Sequence, residues 1–319
     1  MNYAQRVRSR RRAARLRRTR RVAMVALAAA ALLGGEVAML TELVDRGPAA
    51  AAERAPDAED HGDDAAGVIP VPVIEQVTAD PDGPVDGCAG GALQAKDPAA
   101  MIAAFGGAAA MHEAILAGAA PCVPLDDPSL PWVVVNKLRP LNPAQYAPSH
   151  VEVPPSHMVD GRLRADVIAS FEQLVAAATE AGAGRMSLFS GYRSYDVQVD
   201  TYHSQVDARG QHGADALSAR PGYSEHQLGL AVDVVACDDG GCGTIYEFGG
   251  TPQAQWVAEN GWRFGWIVRY EQDQTSITGY DPEPWHLRYI GPELAEVYHQ
   301  GGHRTLEAFF GLPAAPDYG

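Results

Sequence analysis

The chain has 319 residues and a formal net charge of −15, from 25 Lys and Arg against 40 Asp and Glu. That acidic balance favours solubility and argues against nucleic acid as a partner. There is no internal repeat, phosphate-binding loop, Gly-x-Ser-x-Gly elbow or Ser-x-x-Lys pair, so nucleotide-dependent and serine-nucleophile chemistries find no support.

Residues 1–21 hold ten arginines and no acidic residue, and they lead into the apolar run Val22 to Gly35. A basic stretch before a hydrophobic one is the layout of an export signal or a signal anchor. The clean run is 14 residues, short of the roughly 20 that span a bilayer. Extension to Val44 gives a span, with Glu36 and Glu42 near its outer end. No small-x-small cleavage site follows closely, so 22–44 is expected to be an uncleaved anchor with 1–21 in the cytoplasm; a cleaved signal is the alternative. Without the ten N-terminal arginines, 22–319 carries 15 basic against 40 acidic residues, a strongly acidic exported part.

The segment 45–98 is rich in Pro and Ala, with an acidic patch over 57–64, and has too little apolar surface to fold; it is expected to be a disordered tether. Ile69 to Val77 is apolar enough to dock as an edge strand. The segment 99–131 is expected to be a helical pre-domain, with a helix over 99–118. Four cysteines form an even set in an exported chain and are expected to pair as Cys88–Cys122 and Cys237–Cys242. Their spacing lacks the doubled Cys-x-x-Cys of a zinc knuckle.

The segment 132–311 is long enough for one core. Apolar residues from Leu163 to Ala178 recur at three- and four-residue steps, predicting an amphipathic helix over 162–182 that stops at Gly182. A short strand over 186–189 delivers Arg193 on the next turn, and a helix follows over 194–205. Thr251-Pro252 and Asn260-Gly261 bracket another helix, and strands are expected over 264–270 and 285–290. Strands separated by helices of unequal length indicate an α+β domain. The last residues, 312–319, are read as a C-terminal tail.

The chemistry concentrates in Ser224-Glu-His-Gln-Leu-Gly-Leu-Ala-Val-Asp233 and Glu283-Pro-Trp-His286. His226, Asp233 and His286 supply the three protein ligands of a catalytic zinc site, whose fourth position belongs to water. Asp233 sits in an apolar run, Leu230 to Val235, where an unpaired carboxylate is costly and a metal supplies its partner. Glu283 provides an unligated base, and Pro284 is expected to interrupt regular structure so that this carboxylate faces the water. Arg193 offers a permanently charged fork for a carboxylate or a developing oxyanion. Ser224 and Gln198 are candidate substrate contacts, although a turn residue and a solvated helix face fit them equally. Tyr192, Trp285 and Arg288 are expected to pack around the site. The other eight histidines read as surface or hydrogen-bonded core residues.

The Ser-x-His-x-x-Gly-x-Ala-x-Asp pattern at Ser224 to Asp233, Glu-x-Trp-His at Glu283 to His286, and Ser190-Gly-Tyr-Arg-Ser194 together resemble the VanY-like zinc D-alanyl-D-alanine carboxypeptidases. The similarity runs from about Trp132 to Phe310 and includes Val135-Asn-Lys137, Trp256 to Trp266 and Thr278-Gly-Tyr280. The resemblance implies a hedgehog-type peptidase fold with a small antiparallel sheet flanked by helices. It implies one Zn²⁺ on His226, Asp233 and His286, with Glu283 as catalytic base and Arg193 meeting the substrate. It also implies a peptidoglycan stem peptide as substrate, cleaved at its terminal D-alanine. An L,D-carboxypeptidase or an endopeptidase on the same polymer shares such a site, and a non-catalytic, zinc-stabilised wall-binding module is the rival from another class. Leu228 departs from the small polar residue expected at its position, which bears on fine specificity. The expected setting is the extracytoplasmic face of a bacterial envelope, for a monomer attached to the membrane through its N-terminal helix.

Overall fold

The computed structural model describes residues 87–88, 96–158 and 161–319. The expected cytoplasmic segment and anchor, and nearly all of the tether, lie outside the described residues.

The predicted helix over 99–118 is two helices, α1 (Pro98–Ala104) and α2 (Ala108–Leu116). Asp97 caps α1 by accepting from the N–H groups of Ala99 and Ala100. Gly106 and Gly107 separate the helices at φ values of 82° and 120°, which only glycine adopts without strain. The Cys88–Cys122 disulfide ties this region together. These helices bury Met101, Ile102, Phe105 and Met111 in one core cluster with Trp132, Val134, Ile267, Ile290 and Phe309. The pre-domain segment is therefore continuous with the hydrophobic interior of the domain. Among the described residues no single helix is long and apolar enough to cross a membrane.

A two-residue ladder, β1 (Val151–Glu152) with β2 (Leu163–Arg164), takes up the start of the predicted 162–182 helix. Strand pairing and the bond from Arg164 N–H to the Gly229 carbonyl outcompete helix here. A 3₁₀ turn over Ala165–Val167 leads into α3 (Ile168–Glu180). The chain leaves this helix through Gly182 at φ 76°, as its sequence predicts. Next come β3 (Arg185–Ser190) and α4 (Tyr195–Asp215). Ser194 caps α4 through Val197 N–H, and the helix runs ten residues beyond its predicted end, with a break at Gly210.

The remaining elements are β4 (Ala231–Asp238), β5 (Gly241–Cys242), α5 (Ile245–Phe248), α6 (Pro252–Asn260) and β6 (Trp266–Tyr270). They are followed by α7 (Thr275–Thr278), β7 (Glu283–Tyr289), α8 (Pro292–Gln300) and α9 (Leu306–Phe309). The main sheet is antiparallel in the order β3-β4-β7-β6, with β5 hairpinned onto β4. This is the small antiparallel sheet with flanking helices expected for an α+β domain. Alternation along β4 sends Leu230, Val232 and Val234 into a core shared with Phe171, Leu174 and Trp266, while Asp233 faces the other way.

The last residues are part of the domain. Ala315 is fully buried and its N–H donates to the Ile277 carbonyl. Lys137 Nζ donates to the Gly279 and Pro316 carbonyls and lies over the rings of Tyr280 and Tyr318. Gly279, at φ 79°, has no room for a Cβ, which would meet the Pro316 carbonyl oxygen at 2.6 Å.

Candidate active site

Two neighbouring strands and one turn build the site. Asp233 on β4 and His286 on β7 are direct cross-strand partners, so the ladder itself sets their side chains next to each other. His226 comes from a 3₁₀ turn, Glu225–Leu228, that ends at Gly229 in the left-handed region, φ 69°. The nearest oxygens of Asp233 lie 3.3 Å from His226 Nε2 and 3.3 Å from His286 Nδ1. Ligands bonded tetrahedrally to zinc at about 2.0–2.2 Å stand about 3.4 Å from one another. All three residues are buried, and they form the one His/Cys/Asp/Glu group among the described residues able to hold a metal ion. Asp233 Oδ1 is buried without a hydrogen bond, an environment that fits a carboxylate oxygen used as a metal ligand.

The imidazoles are already turned for that role. His226 Nδ1–H donates to the Gly191 carbonyl over 2.8 Å, which leaves Nε2 free on the metal side. Gly191 is required there, because a Cβ would sit 2.1 Å from the Arg162 carbonyl oxygen. His286 Nε2–H donates to Glu225 Oε2 over 3.2 Å, so its Nδ1 faces Asp233. Burial lowers the His226 pKa more than Asp233 raises it. For His286 burial acts in the same direction, but Asp233 and Glu225 outweigh it and push the pKa up to about 9. A divalent cation in the triad competes with that proton for the same lone pair.

Glu283 lies within reach without joining the triad, its Oε2 3.6 Å from His286 Nδ1. Pro284 does not keep Glu283 out of regular structure: β7 begins at Glu283. The pairing is irregular instead. Tyr270 faces Glu283 and Val268 faces Leu287, so β7 spends two extra residues between those pairs. In a regular strand, residues three apart point to opposite faces. The bulge, at a residue with no N–H to give the ladder, brings Glu283 to the His286 face. Burial, reinforced by Asp233 against the opposing pull of His286 and Arg193, pushes the Glu283 pKa up to about 8.

These side chains line a cleft of about 520 Å³. Arg193 lines it from the turn after β3, and its guanidinium makes no hydrogen bond to a described residue. Burial lowers its pKa, and the charges of Asp233 and Glu283 oppose the shift. Gln198 is not on a solvated face. It is 1% exposed, donates to the Ala219 carbonyl over 2.6 Å, and keeps its Oε1 without a partner. Ser224 is buried on the cleft wall, and its hydroxyl caps nothing. Tyr192 and Trp285 also line the cleft. Leu228 points into the hydrophobic core and does not line the cleft, so the departure noted there leaves the cleft surface unchanged.

Arg288 stands behind the site, where it holds a residue that sequence reasoning missed. Glu225 Oε1 accepts from Arg269 Nε and Arg288 Nη1, each over 2.9 Å. Arg269 in turn makes two hydrogen bonds to Glu307, which also accepts from Asn136. Arg288 is further held by the Pro131 and Val133 carbonyls. The sequence signal was an arginine flanked by apolar residues in each of two strands, because a buried guanidinium needs an acidic partner.

Residues 160–292 match the profile of the family described as VanY, D-alanyl-D-alanine carboxypeptidase. A putative carboxypeptidase, YodJ, of Bacillus subtilis is 34% identical over 196 residues, which cover 58% of this chain and 69% of YodJ. The chain belongs to the VanY family. A second relative, the D-alanyl-D-alanine carboxypeptidase of Enterococcus faecalis, is 37% identical over 186 residues, covering 55% of this chain and 65% of its own. Among solved structures, the LdcB LD-carboxypeptidase superposes with a TM-score of 0.53 at 34% identity, over 58% of this chain and 87% of LdcB. This VanY-family chain keeps both motif segments within the matched region, at Ser224 to Asp233 and Glu283 to His286.

Proposed function

We propose that the protein is a zinc-dependent carboxypeptidase that removes the terminal D-alanine from peptidoglycan stem peptides. The observation that carries this reading is Glu283, a buried carboxylate left outside a His226–Asp233–His286 triad that is spaced for zinc. His226, Asp233 and His286 would hold a zinc ion, which would supply an acidified water and Lewis-acid polarisation of the scissile carbonyl. Glu283 takes the proton of the attacking water and passes one to the departing amine. Arg193, whose guanidinium has no hydrogen-bond partner among the described residues, pairs with the carboxylate of the last residue. The Ser224 hydroxyl, on the cleft wall, is placed to bond the peptide backbone, and Gln198 stands behind the same wall. A zinc site used only for stability has no use for Glu283, which weighs against a non-catalytic wall-binding module.

The likeness to LdcB favours a second reading of the same site, cleavage after an L-residue. Both readings are separated by incubating the protein, with and without chelator, with pentapeptide and tetrapeptide stems and weighing the released amino acid. Release of D-alanine from the pentapeptide, lost on chelation, supports the first reading; release from the tetrapeptide alone supports the second. No release from either sinks both. The two disulfides fit an oxidising compartment outside the cytoplasm, and residues 22–44 would hold the enzyme at the membrane.

A further inference from the structure

Val135-Asn-Lys137 and Thr278-Gly-Tyr280 hold none of the triad residues, yet the fold joins them beside the cleft. Asn136 and Lys137 are 2% and 3% exposed, and these two successive residues reach different arms of the site. Asn136 Nδ2–H donates to Glu307 Oε1 over 3.0 Å, which joins it through Arg269 and Glu225 to His286. Lys137 reaches the approach to Glu283 instead.

Its ammonium donates to the Gly279 carbonyl and, over 3.4 Å, to the Pro316 carbonyl, and it lies 4.6 Å from the centre of the Tyr280 ring. No described carboxylate forms an ion pair with it. Burying an ammonium without a carboxylate is costly, and carbonyls and ring faces offset only part of the cost. An apolar side chain of similar volume is often no less stable in such a place, so stability alone does not account for a lysine here.

What the cation holds is the lead-in to the base. The stretch from Gly279 to Glu283 is pinned at each step: Gly279 N–H donates to the Thr275 carbonyl, Tyr280 N–H to the Thr278 hydroxyl, and Asp281 N–H to the Ala216 carbonyl. Tyr280 lines the cleft, and its ring is 4.8 Å from that of Tyr270. Tyr270 in turn pairs with Glu283 across the ladder and packs its ring 4.9 Å from His286. A contiguous chain of contacts therefore runs from the Lys137 ammonium to both the base and a triad imidazole.

We infer that Lys137 is a positioning residue for hydrolysis, whose buried cation clamps the stretch from Gly279 to Glu283 and so holds the Glu283 carboxylate in place beside the triad. This rests on the hydrolase reading above but not on which stem peptide is cleaved. Lys137 touches no substrate and acts through Gly279 and Tyr280. A shift of about 1 Å in a catalytic group, caused by a change away from the chemistry, is enough to lower turnover by up to about 10²-fold.

The test measures kcat and KM on whichever stem peptide the wild-type protein cleaves, with zinc affinity and thermal melting alongside. Lys137→Met removes the charge and keeps the bulk; Lys137→Gln also keeps an N–H donor, and serves if the methionine variant does not fold. In either, kcat is expected to fall about tenfold, with KM and zinc affinity within about twofold of wild type. Lys137→Arg keeps the cation and is expected to recover most of that loss. A folded methionine or glutamine variant with the kcat of wild type overturns the inference, and so does a loss carried by KM or matched by an equal loss of zinc affinity. An arginine variant no better than Lys137→Gln overturns the role of the charge. A wild-type protein that releases no amino acid from either stem overturns the hydrolase reading itself.

Discussion

Exchanging Glu225 for glutamine tests whether the buried charge network prepares the metal site. Glu225 Oε1 accepts from Arg269 and Arg288, while Oε2 faces His286 Nε2. In Glu225→Gln the amide oxygen stays with the two arginines, which places the amide NH₂ against His286. Two donors then meet, and the ring relieves the conflict by moving its proton from Nε2 to Nδ1, the nitrogen needed for the metal. Loss of such a partner weakens metal binding about 10- to 100-fold, or about 1.4–2.8 kcal/mol. The variant also leaves the buried network one negative charge short, which destabilises the fold by about 3–5 kcal/mol. Glu307→Gln separates the two effects, because Glu307 balances Arg269 but does not touch His286. Both variants are expected to melt earlier, and only Glu225→Gln to lose zinc affinity in competition with a chelating dye. Equal zinc affinities in the two variants would refute the tautomer argument.

Further outcomes follow from the same geometry. Glu283→Ala is expected to keep zinc and the fold while kcat drops about 10²- to 10⁴-fold, the usual contribution of a general base; turnover near wild type would remove Glu283 from the reaction. Arg193→Ala should lower kcat/KM about 10- to 100-fold on peptides with a free C-terminus, matching the loss of a charge-assisted bond of about 1.5–3 kcal/mol. C-terminally amidated peptides should not show that difference, and a uniform loss on both would point to a role other than gripping the carboxylate. Metal-free protein should become less stable as pH rises from 4.5 to about 8, since folded Glu283 retains a proton that the unfolded chain has released. Chelator-treated Glu283→Gln should therefore melt higher than chelator-treated wild type at pH 8, with the gap closing towards pH 4.5; a gap independent of pH contradicts the raised pKa.

The reacting groups were legible in the sequence because their residue types are tied to short spacings: His226 with Asp233, and Glu283 with His286. The antiparallel pairing of Asp233 with His286, separated by 53 positions, was not legible, because an apolar run at Leu230 to Val235 and a strand over 285–290 do not say which strands will pair. Glu225 was not legible either. Its partners, Arg269 and Arg288, are 44 and 63 positions away, and no local pattern says which arginine a buried carboxylate will meet. Gln198 shows the opposite limit. The helix expected over 194–205 placed it on α4, but its burial depends on the Ser218–Ala219 segment packing over it. Secondary structure failed at Leu163, where non-local pairing with Glu152 overrode an apolar pattern that reads as helix.

Tyr318 braces the cleft from behind, so its side chain bears on catalysis without facing the metal triad. Its hydroxyl meets that of Tyr280, a cleft residue, and accepts from Arg220 N–H, while its ring lies under the Arg220 guanidinium. Removing that hydroxyl in Tyr318→Phe would loosen Tyr280, and through it the cleft wall.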